Sequence, residues 1–461
     1  MSSFSRAVAA AICLLTASPA LADILIDNVN GITVGDSGEI VNFSAVLIGD
    51  DGRFAQVFDR RDKKPSKVDY RLDGKGRVMI PGLIDSNANV MELGLALLKA
   101  KAGFSNDPHG EPRPEDRDLA FAEAQKVLLA SGITTVTDMG TTIADWQSYR
   151  RAGDAGSLRI RLVTYADSVA DMTMIGGPGP GPWLYHDRLK MNGVLLTLDG
   201  PLATRQAWLK APYADEARNS GKQQLNAIQL RNLISRGAID NFQVAITANG
   251  DAAAAAALDA LDEVGETYKG DRRWRIEGLS LLGEADIARL NRHKVIASVQ
   301  PLQFSALRPM ADAMLGADRV KDLHRWRSLV ASEQGDQRVQ LAFGSGTRST
   351  APRPFETMAI AITRQANDSF AGEWQSPETL TRQDALKAFT SDAAHAIFAD
   401  GRLGRIAKGY RADFLFIDRD PLLAAPEELR QTRVLQSWIN GALVYEAEER
   451  AVPTQSSTEG R

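Results

Sequence analysis

Hydrophobic and polar positions along the chain fall into two regimes. From Asp23 to about Arg77, short β-type runs such as Ile24-Leu25-Ile26, Glu39-Ile40-Val41 and Ala45-Val46-Leu47-Ile48 alternate with Asp-Gly and Asn-Gly pairs. Such runs predict strands joined by tight turns. Residues 412–417 and Ser437 to Tyr445, with a turn glycine at Gly441, repeat the pattern near the other end. The two ends are therefore expected to form one small composite β-sandwich domain, joined across a central insertion.

Between them, β and α signals alternate, which predicts a parallel sheet covered by helices. Eight strands are expected: Met79 to Ile84, Ile133 to Thr137, Arg159 to Tyr165, Gly193 to Leu198, Phe242 to Ile246, Trp274 to Glu277, Val295 to Val299 and Val339 to Gly344. Several are nearly continuous apolar runs, as strands buried on both faces must be. Helical spacing marks Glu115 to Ala130, Ala252 to Leu261 (with Asp251 placed to cap it), Glu284 to Asn291 and Glu356 to Arg364. Eight strands with intervening helices favour a (β/α)8 TIM-like barrel over a doubly wound open sheet. The expected divisions are a leader at 1–22, β domain at 23–78, barrel at 79–403, β domain again at 404–446, and a disordered tail at 447–461.

Composition narrows the class. The 461 residues are 44% hydrophobic and 24% charged, within the range of globular proteins. Arg6, the apolar run Ala7 to Leu15 and Ala20-Leu21-Ala22 predict a secretory signal peptide cut after Ala22, hence a periplasmic or secreted protein. The run falls short of the ~20 apolar residues of a membrane span, so an anchor is the lesser reading. The one cysteine, Cys13, lies inside that leader, leaving no thiol for a disulfide or a metal. Formal charge is −4, or −5 without Arg6, and basic residues are scattered along the sequence, which disfavours nucleic acid as a partner. Arg319 to Arg327 reads as the solvated face of one amphipathic helix. Gly176 to Pro182 reads as an irregular loop over the strand ends, either a lid or a plain connector, because its prolines lack the N–H donors of a phosphate cradle.

The segment Pro81-Gly82-Leu83-Ile84-Asp85-Ser86-Asn87-Ala88-Asn89 carries the candidate chemistry, together with Gly132-Ile133-Thr134-Thr135-Val136, Leu198-Asp199-Gly200, Ser298-Val299-Gln300-Pro301 and Leu341-Ala342-Phe343-Gly344-Ser345. Gly404-Arg405-Ile406-Ala407-Lys408-Gly409-Tyr410-Arg411-Ala412-Asp413 closes the set. In order and spacing the chain resembles the amidohydrolase superfamily, in its amidohydrolase 3, exoenzyme-like subgroup. That resemblance implies a metal centre at the C-terminal ends of the barrel strands. The family's ligands are a His-x-His pair after strand one, a lysine on strand four, and histidines after strands five and six. A further histidine follows strand seven, and an aspartate after strand eight is the general base. Carried over, the pair falls on Asn87 and Asn89, the lysine on Leu195, and the two histidines on Thr247 and Gly278. The histidine after strand seven falls on Gln303 and the aspartate on Gly346. None matches the family pattern.

The residue inventory agrees. The five histidines, His109, His186, His293, His324 and His395, show no His-x-His or His-x3-His spacing and read as surface or satisfied core residues. Asp85, Asn87, Asn89 and Glu277 offer oxygen donors for a hard cation. Asp138 with Glu277 is a candidate acid/base pair, although Arg275 on the same strand makes a buried ion pair the plainer reading. Ser345 and Ser349 lie near strand eight with no histidine in sequence reach. The expectation is an exported pseudoenzyme without cofactor that binds a small polar molecule or a protein at the former metal positions. The alternative is an active hydrolase of non-peptide carbon–nitrogen bonds with a rearranged or metal-independent site.

Overall fold

The computed structural model describes residues 23–101, 111–331, 338–365 and 374–448. The predicted leader, His109 and the tail beyond Glu448 lie outside the described residues. Among the described residues no helix is long and apolar enough to cross a membrane.

The N-terminal strands are β1 (Ile24–Asp27), β2 (Asn30–Val34), β3 (Ile40–Phe43), β4 (Ala45–Ile48), β5 (Phe54–Phe58), β6 (Tyr70–Asp73) and β7 (Val78–Pro81). The barrel strands are β8 (Leu83–Ala88), β9 (Ile133–Thr141), β10 (Arg161–Ala166), β11 (Leu189–Thr197), β12 (Gln243–Ala248), β13 (Arg275–Gly278), β14 (Ile296–Val299) and β15 (Leu341–Phe343). Three more, β16 (Phe414–Ile417), β17 (Val434–Ile439) and β18 (Ala442–Glu446), follow. Strands β8 to β15 form one eight-stranded parallel sheet in sequence order. The backbone just past β15 meets the end of β8, where Gly346 N–H donates to Asn87 O at 2.8 Å and Asn89 N–H to Thr347 O at 2.9 Å. The predicted eight-stranded TIM-like barrel is thus the observed fold.

Helices alternate with these strands: α1 (Val90–Lys99), α2 (Pro114–Ala130), α3 (Ile143–Asp154), α4 (Val169–Gly176), α5 (Ala227–Ile239), α6 (Asp251–Thr267) and α7 (Glu284–Arg292). Gly250, not Asp251, is the N-cap of α6; Asp251 is its first residue and accepts Lys210 N–H instead. A short helix, Ser391–Ala396, plugs the N-terminal end of the barrel, and its alanines pack on Ile84, Val163, Tyr165, Ala245 and Ile296. Small side chains let that helix approach the barrel axis closely, which leaves only the C-terminal end as a mouth.

Two further sheets flank the barrel. One, in the order β5-β4-β1-β6, comes from the N-terminal segment alone; the other, β18-β17-β16-β7-β2-β3, combines both chain ends. Their shared core holds Ile26, Val46, Phe54, Met79, Phe414 and Phe416. The run Met79 to Ile84 is therefore not one barrel strand. It divides at Gly82, with Val78–Pro81 pairing with β16 and Leu83 starting the barrel. A Cβ at Gly82 would stand 2.2 Å from Thr134 Oγ1, so the crossing between the two sheets requires glycine.

Two other readings change. Residues Arg319 to Arg327 are not one amphipathic helix: a single 3-10 turn, Val320–Asp322, ends before His324, whose φ of 52° is left-handed and breaks the helix. His324 is buried rather than solvated, and burial pushes its imidazole down to about 3. The Gly176 to Pro182 segment connects α4 to β11, so it lies at the end of the barrel away from Asn87 and is not a lid over the mouth.

Candidate functional site at the barrel mouth

At the C-terminal ends of the strands, five of the seven carried-over positions come together. Asn87 is the penultimate residue of β8, and its Nδ2 donates to Glu277 Oε2 on β13 at 2.7 Å. Thr247 on β12 is in register beside Glu277, and Gly278 follows Glu277 directly. Gly346 donates its N–H to Asn87 O, and a Cβ there would come 3.2 Å from both Gln300 Cγ and Gln303 Nε2. Asn89 turns away. Its Oδ1 accepts Glu92 N–H at 3.0 Å, capping α1, and its Nδ2 reaches Met139 O at 3.4 Å. Leu195 is half-buried and packs on the apolar barrel interior.

A buried charge pair organises the floor of this mouth. Arg275 sits two residues before Glu277 on β13, so both side chains face inward. Their exposures are 0% and 2%, and Arg275 Nε donates to Glu277 Oε1 at 2.8 Å. The guanidinium also donates from Nη2 to Ser86 O at 2.6 Å and to Ser298 Oγ at 3.3 Å. Nη1 donates to Tyr165 OH at 3.3 Å, with the guanidinium 5.1 Å from the centre of the Tyr165 ring. Burial pulls the Arg275 pKa down, but its interactions with the Glu277 carboxylate and the Tyr165 hydroxyl outweigh it and the net direction is up. The cation is fixed in place. The buried ion pair expected for Glu277 is present, whereas the Glu277–Asp138 pair is not formed: Asp138 accepts from Val90 N–H at 2.7 Å, Thr141 Oγ1 at 2.5 Å and Tyr149 OH at 3.1 Å.

The remaining carboxylates are held by backbone. Asp199 accepts N–H groups from Asn249, Gly250 and Trp208 at 2.8 to 3.0 Å, yet burial pushes it up to about 6. Asp85 Oδ1 accepts from Asn87 N–H and Ser345 N–H at 3.1 and 2.9 Å, while Oδ2 has no partner among the described residues. Burial pushes Asp85 up to about 6, against the smaller downward pull of Ser345 and Asn87. The oxygen cluster of Asp85, Asn87, Asn89 and Glu277 does not assemble, because the only hydrogen bond between side chains of the four is Asn87 to Glu277, and Asp85 meets only the backbone of Asn87. Among the described residues no three or more His, Cys, Asp or Glu side chains gather as a metal site would need.

Asn249 follows β12 and lies beside Gly278. It accepts Ser280 Oγ at 3.2 Å and donates to Gly200 O at 3.2 Å. An ideal Cβ on Gly278, whose φ is 99°, would lie 2.4 Å from Asn249 Oδ1. A side chain at 278 and the present Asn249 amide exclude each other. Two mouth groups have no hydrogen-bond partner among the described residues: Asn87 Oδ1 and the Thr247 hydroxyl, both on half-buried side chains. Ser345 Oγ accepts Thr347 N–H at 3.1 Å, and Ser349 is exposed on the loop beyond.

Comparison with known proteins places this geometry. The sequence pattern of the amidohydrolase family matches residues 87–445. YtcJ of Bacillus subtilis, which carries an amidohydrolase name, is 28% identical over 71% of this chain and 61% of its own. An N-substituted formamide deformylase from Arthrobacter pascens is 26% identical over 69% of this chain and 58% of its own. The chain thus spans about three fifths of the length of these curated relatives. A crystal structure described as an uncharacterized metal-dependent hydrolase from Pyrococcus horikoshii superposes with a TM-score of 0.76 at 20% identity, over 88% of this chain and 99% of that one.

Proposed function

Because the chain belongs to the amidohydrolase family, its mouth is where a substrate would lie, and we propose that it holds a small neutral polar molecule there without hydrolysing it through a metal. The observation that carries this reading is the chain of contacts from Asn87 through Glu277 to Arg275. A zinc site takes about four imidazole, thiolate or carboxylate donors. The matching positions here supply one amide, one hydroxyl, a leucine, two glycines, an exposed Gln303 and an amide spent on capping α1. The nearest carboxylate, Glu277, has both oxygens engaged, and a fixed guanidinium already balances its charge. A divalent cation would sit beside that positive charge, so these residues do not fit one.

What the mouth offers is hydrogen bonding. Asn87 Oδ1 is an acceptor held in place by the bond its own Nδ2 makes to Glu277, and Thr247 stands in register with that same Glu277. Unpaired, such groups cost about 1–3 kcal/mol each when desolvated, and a ligand with N–H or O–H donors relieves that cost. A compact amide or ureido compound meets this description. The leader pattern from Arg6 to Ala22 supports an encounter outside the cytoplasm.

The test combines metal analysis with ligand screening of the purified protein. We expect sub-stoichiometric zinc, iron and manganese, and a saturable thermal shift with a member of a panel of formamides, hydantoins and ureas that Asn87→Ala abolishes. Stoichiometric metal with chelator-sensitive amidase activity would refute the reading, as would the absence of any shift across the panel. A second reading rests on Asp85, whose Oδ1 accepts Ser345 N–H, whose Oδ2 has no partner among the described residues, and whose acidity the Ser345 side chain influences. A carboxylate titrating near neutrality next to a hydroxyl is a base beside a nucleophile, the arrangement of a metal-independent hydrolase. A pre-steady-state burst with an activated ester, lost in Ser345→Ala, would favour it.

A further inference from the structure

At the end of the barrel opposite the mouth, where β11 and β12 begin, lies a cavity of about 410 Å³. Pro180 of the Gly-Pro segment, Phe242 and Phe398 give it an apolar side, and Lys190 and Asn192 of β11 give it a polar one. Those two residues stand two apart on one strand, and the mouth uses neither.

Asn192 is placed by a β-bulge. The register of β11 on β10 slips there, so that Met191 faces Thr164, Gly193 faces Tyr165, and Asn192 is the extra residue between them. The residue is 2% exposed, and its Nδ2 donates to Tyr165 OH at 2.9 Å and to Gln243 Oε1 at 2.8 Å. Gln243 is fixed in turn, its Nε2 donating to Ala396 O at 3.0 Å. With both amide hydrogens spent, the orientation of Asn192 is set. Its Oδ1 has no partner among the described residues and is not sealed in the core, so it opens on the cavity that Asn192 lines.

Lys190 is a separate observation. It is half-buried, and among the described residues its ammonium has neither a hydrogen bond nor a carboxylate partner. Nζ lies 5.9 Å from the centre of the Trp183 ring, which the guanidinium of Arg402 shares at 6.0 Å. Asp271, the one carboxylate in the cavity wall, is engaged by Arg273 at 2.9 Å. Burial, and after it the positive charge of Arg402, pulls the Lys190 pKa down, as for a cation without a counter-charge. A solvated lysine finds its counter-ion in water. One held over a cavity beside a second cation is stabilised by an anion seated in that cavity.

We propose that this cavity binds a small α-hydroxycarboxylate with an apolar side chain. The ligand carboxylate meets the Lys190 ammonium, its hydroxyl donates to Asn192 Oδ1, and its side chain lies against Phe242, Phe398 and Pro180. An amino acid of the same shape fits less well, because its own ammonium would stand beside that of Lys190. The site is independent of what the mouth binds.

The experiment is calorimetric titration of the intact protein with phenyllactate. Saturable one-to-one binding with a Kd of about 1 mM or tighter is expected. Lys190→Met breaks no hydrogen bond or ion pair, and should weaken binding about tenfold or more while leaving the thermal midpoint without ligand unchanged. Hydrocinnamate, which lacks only the hydroxyl, should bind the unaltered protein about fivefold or more weakly, an arm that needs no variant. Asn87→Ala should leave phenyllactate affinity as it is, which keeps this test separate from that of the mouth. Any of four results would overturn the proposal: no saturable heat below about 10 mM phenyllactate, equal binding by Lys190→Met, equal binding of hydrocinnamate, or loss of binding in Asn87→Ala.

Discussion

Replacing Glu277 by Gln tests the organisation of the barrel floor most directly. The guanidinium of Arg275 has five N–H groups, and the structure spends one on Glu277, two from Nη2 on Ser86 O and Ser298 Oγ, and one on Tyr165 OH. Every partner except Glu277 is neutral. Glutamine keeps the shape, but its amide oxygen can serve Arg275 or Asn87, not both, and its NH2 then faces a donor. The guanidinium stays buried at 0% exposure without a counter-charge. Breaking a buried pair from one side costs about 3–5 kcal/mol, whereas replacing both partners by apolar groups of similar volume is close to neutral. Glu277→Gln should therefore lower the stability read from equilibrium urea unfolding by about that amount, while Arg275→Met with Glu277→Leu should recover most of it. Circular dichroism and tryptophan fluorescence should report the same transition. A single variant within about 1 kcal/mol of the parent, or a double variant as unstable as the single, would refute the reasoning.

Two more outcomes follow from the mouth. Asp85 has its folded pKa raised from 3.8 to about 6, so the stability linked to its protonated form is complete below 3.8 and lost as pH rises through 6. Asp85→Asn should accordingly stabilise the protein at pH 7.5, by at most about 3 kcal/mol, and change little at pH 4; denaturant midpoints that move equally at both pH values would contradict this. Gly278→Ala should cost roughly 1–3 kcal/mol, since its φ of 99° suits glycine and the new methyl meets Asn249 Oδ1. Adding Asn249→Ala should return part of that loss in thermal denaturation, and full independence of the two changes would show that the contact is not what matters.

Much of the fold was legible because barrel strands buried on both faces leave unmistakable apolar runs, and all eight lie within a few residues of their expected places. The error at Met79 to Ile84 has a definite cause. Strands β7 and β8 are both buried and abut in sequence, so hydrophobicity is continuous and only Gly82 marks the change of sheet. The helix expected over Arg319 to Arg327 failed at His324, where a left-handed backbone turn interrupts a periodicity that looks unbroken. At the site, the Arg275–Glu277 pairing was readable from the two-residue spacing of a strand. The capping role of Asn89 was readable as well, since Asn-x-x-Glu before an apolar run is a helix-start pattern.

The six-stranded sheet that joins both ends of the chain constrains how this protein reaches its native state. Ile80 on β7 pairs with Leu415 on β16, a separation of 415 − 80 = 335 residues. Closing a loop of that length costs about 5 kcal/mol of chain entropy, a debt settled only after the intervening barrel has drawn the two segments together. Strands β16 to β18 are synthesised after the barrel, and β7 waits for them with one edge unsatisfied. A polypeptide released before residue 414 should hence persist as an aggregation-prone intermediate rather than as a smaller folded protein.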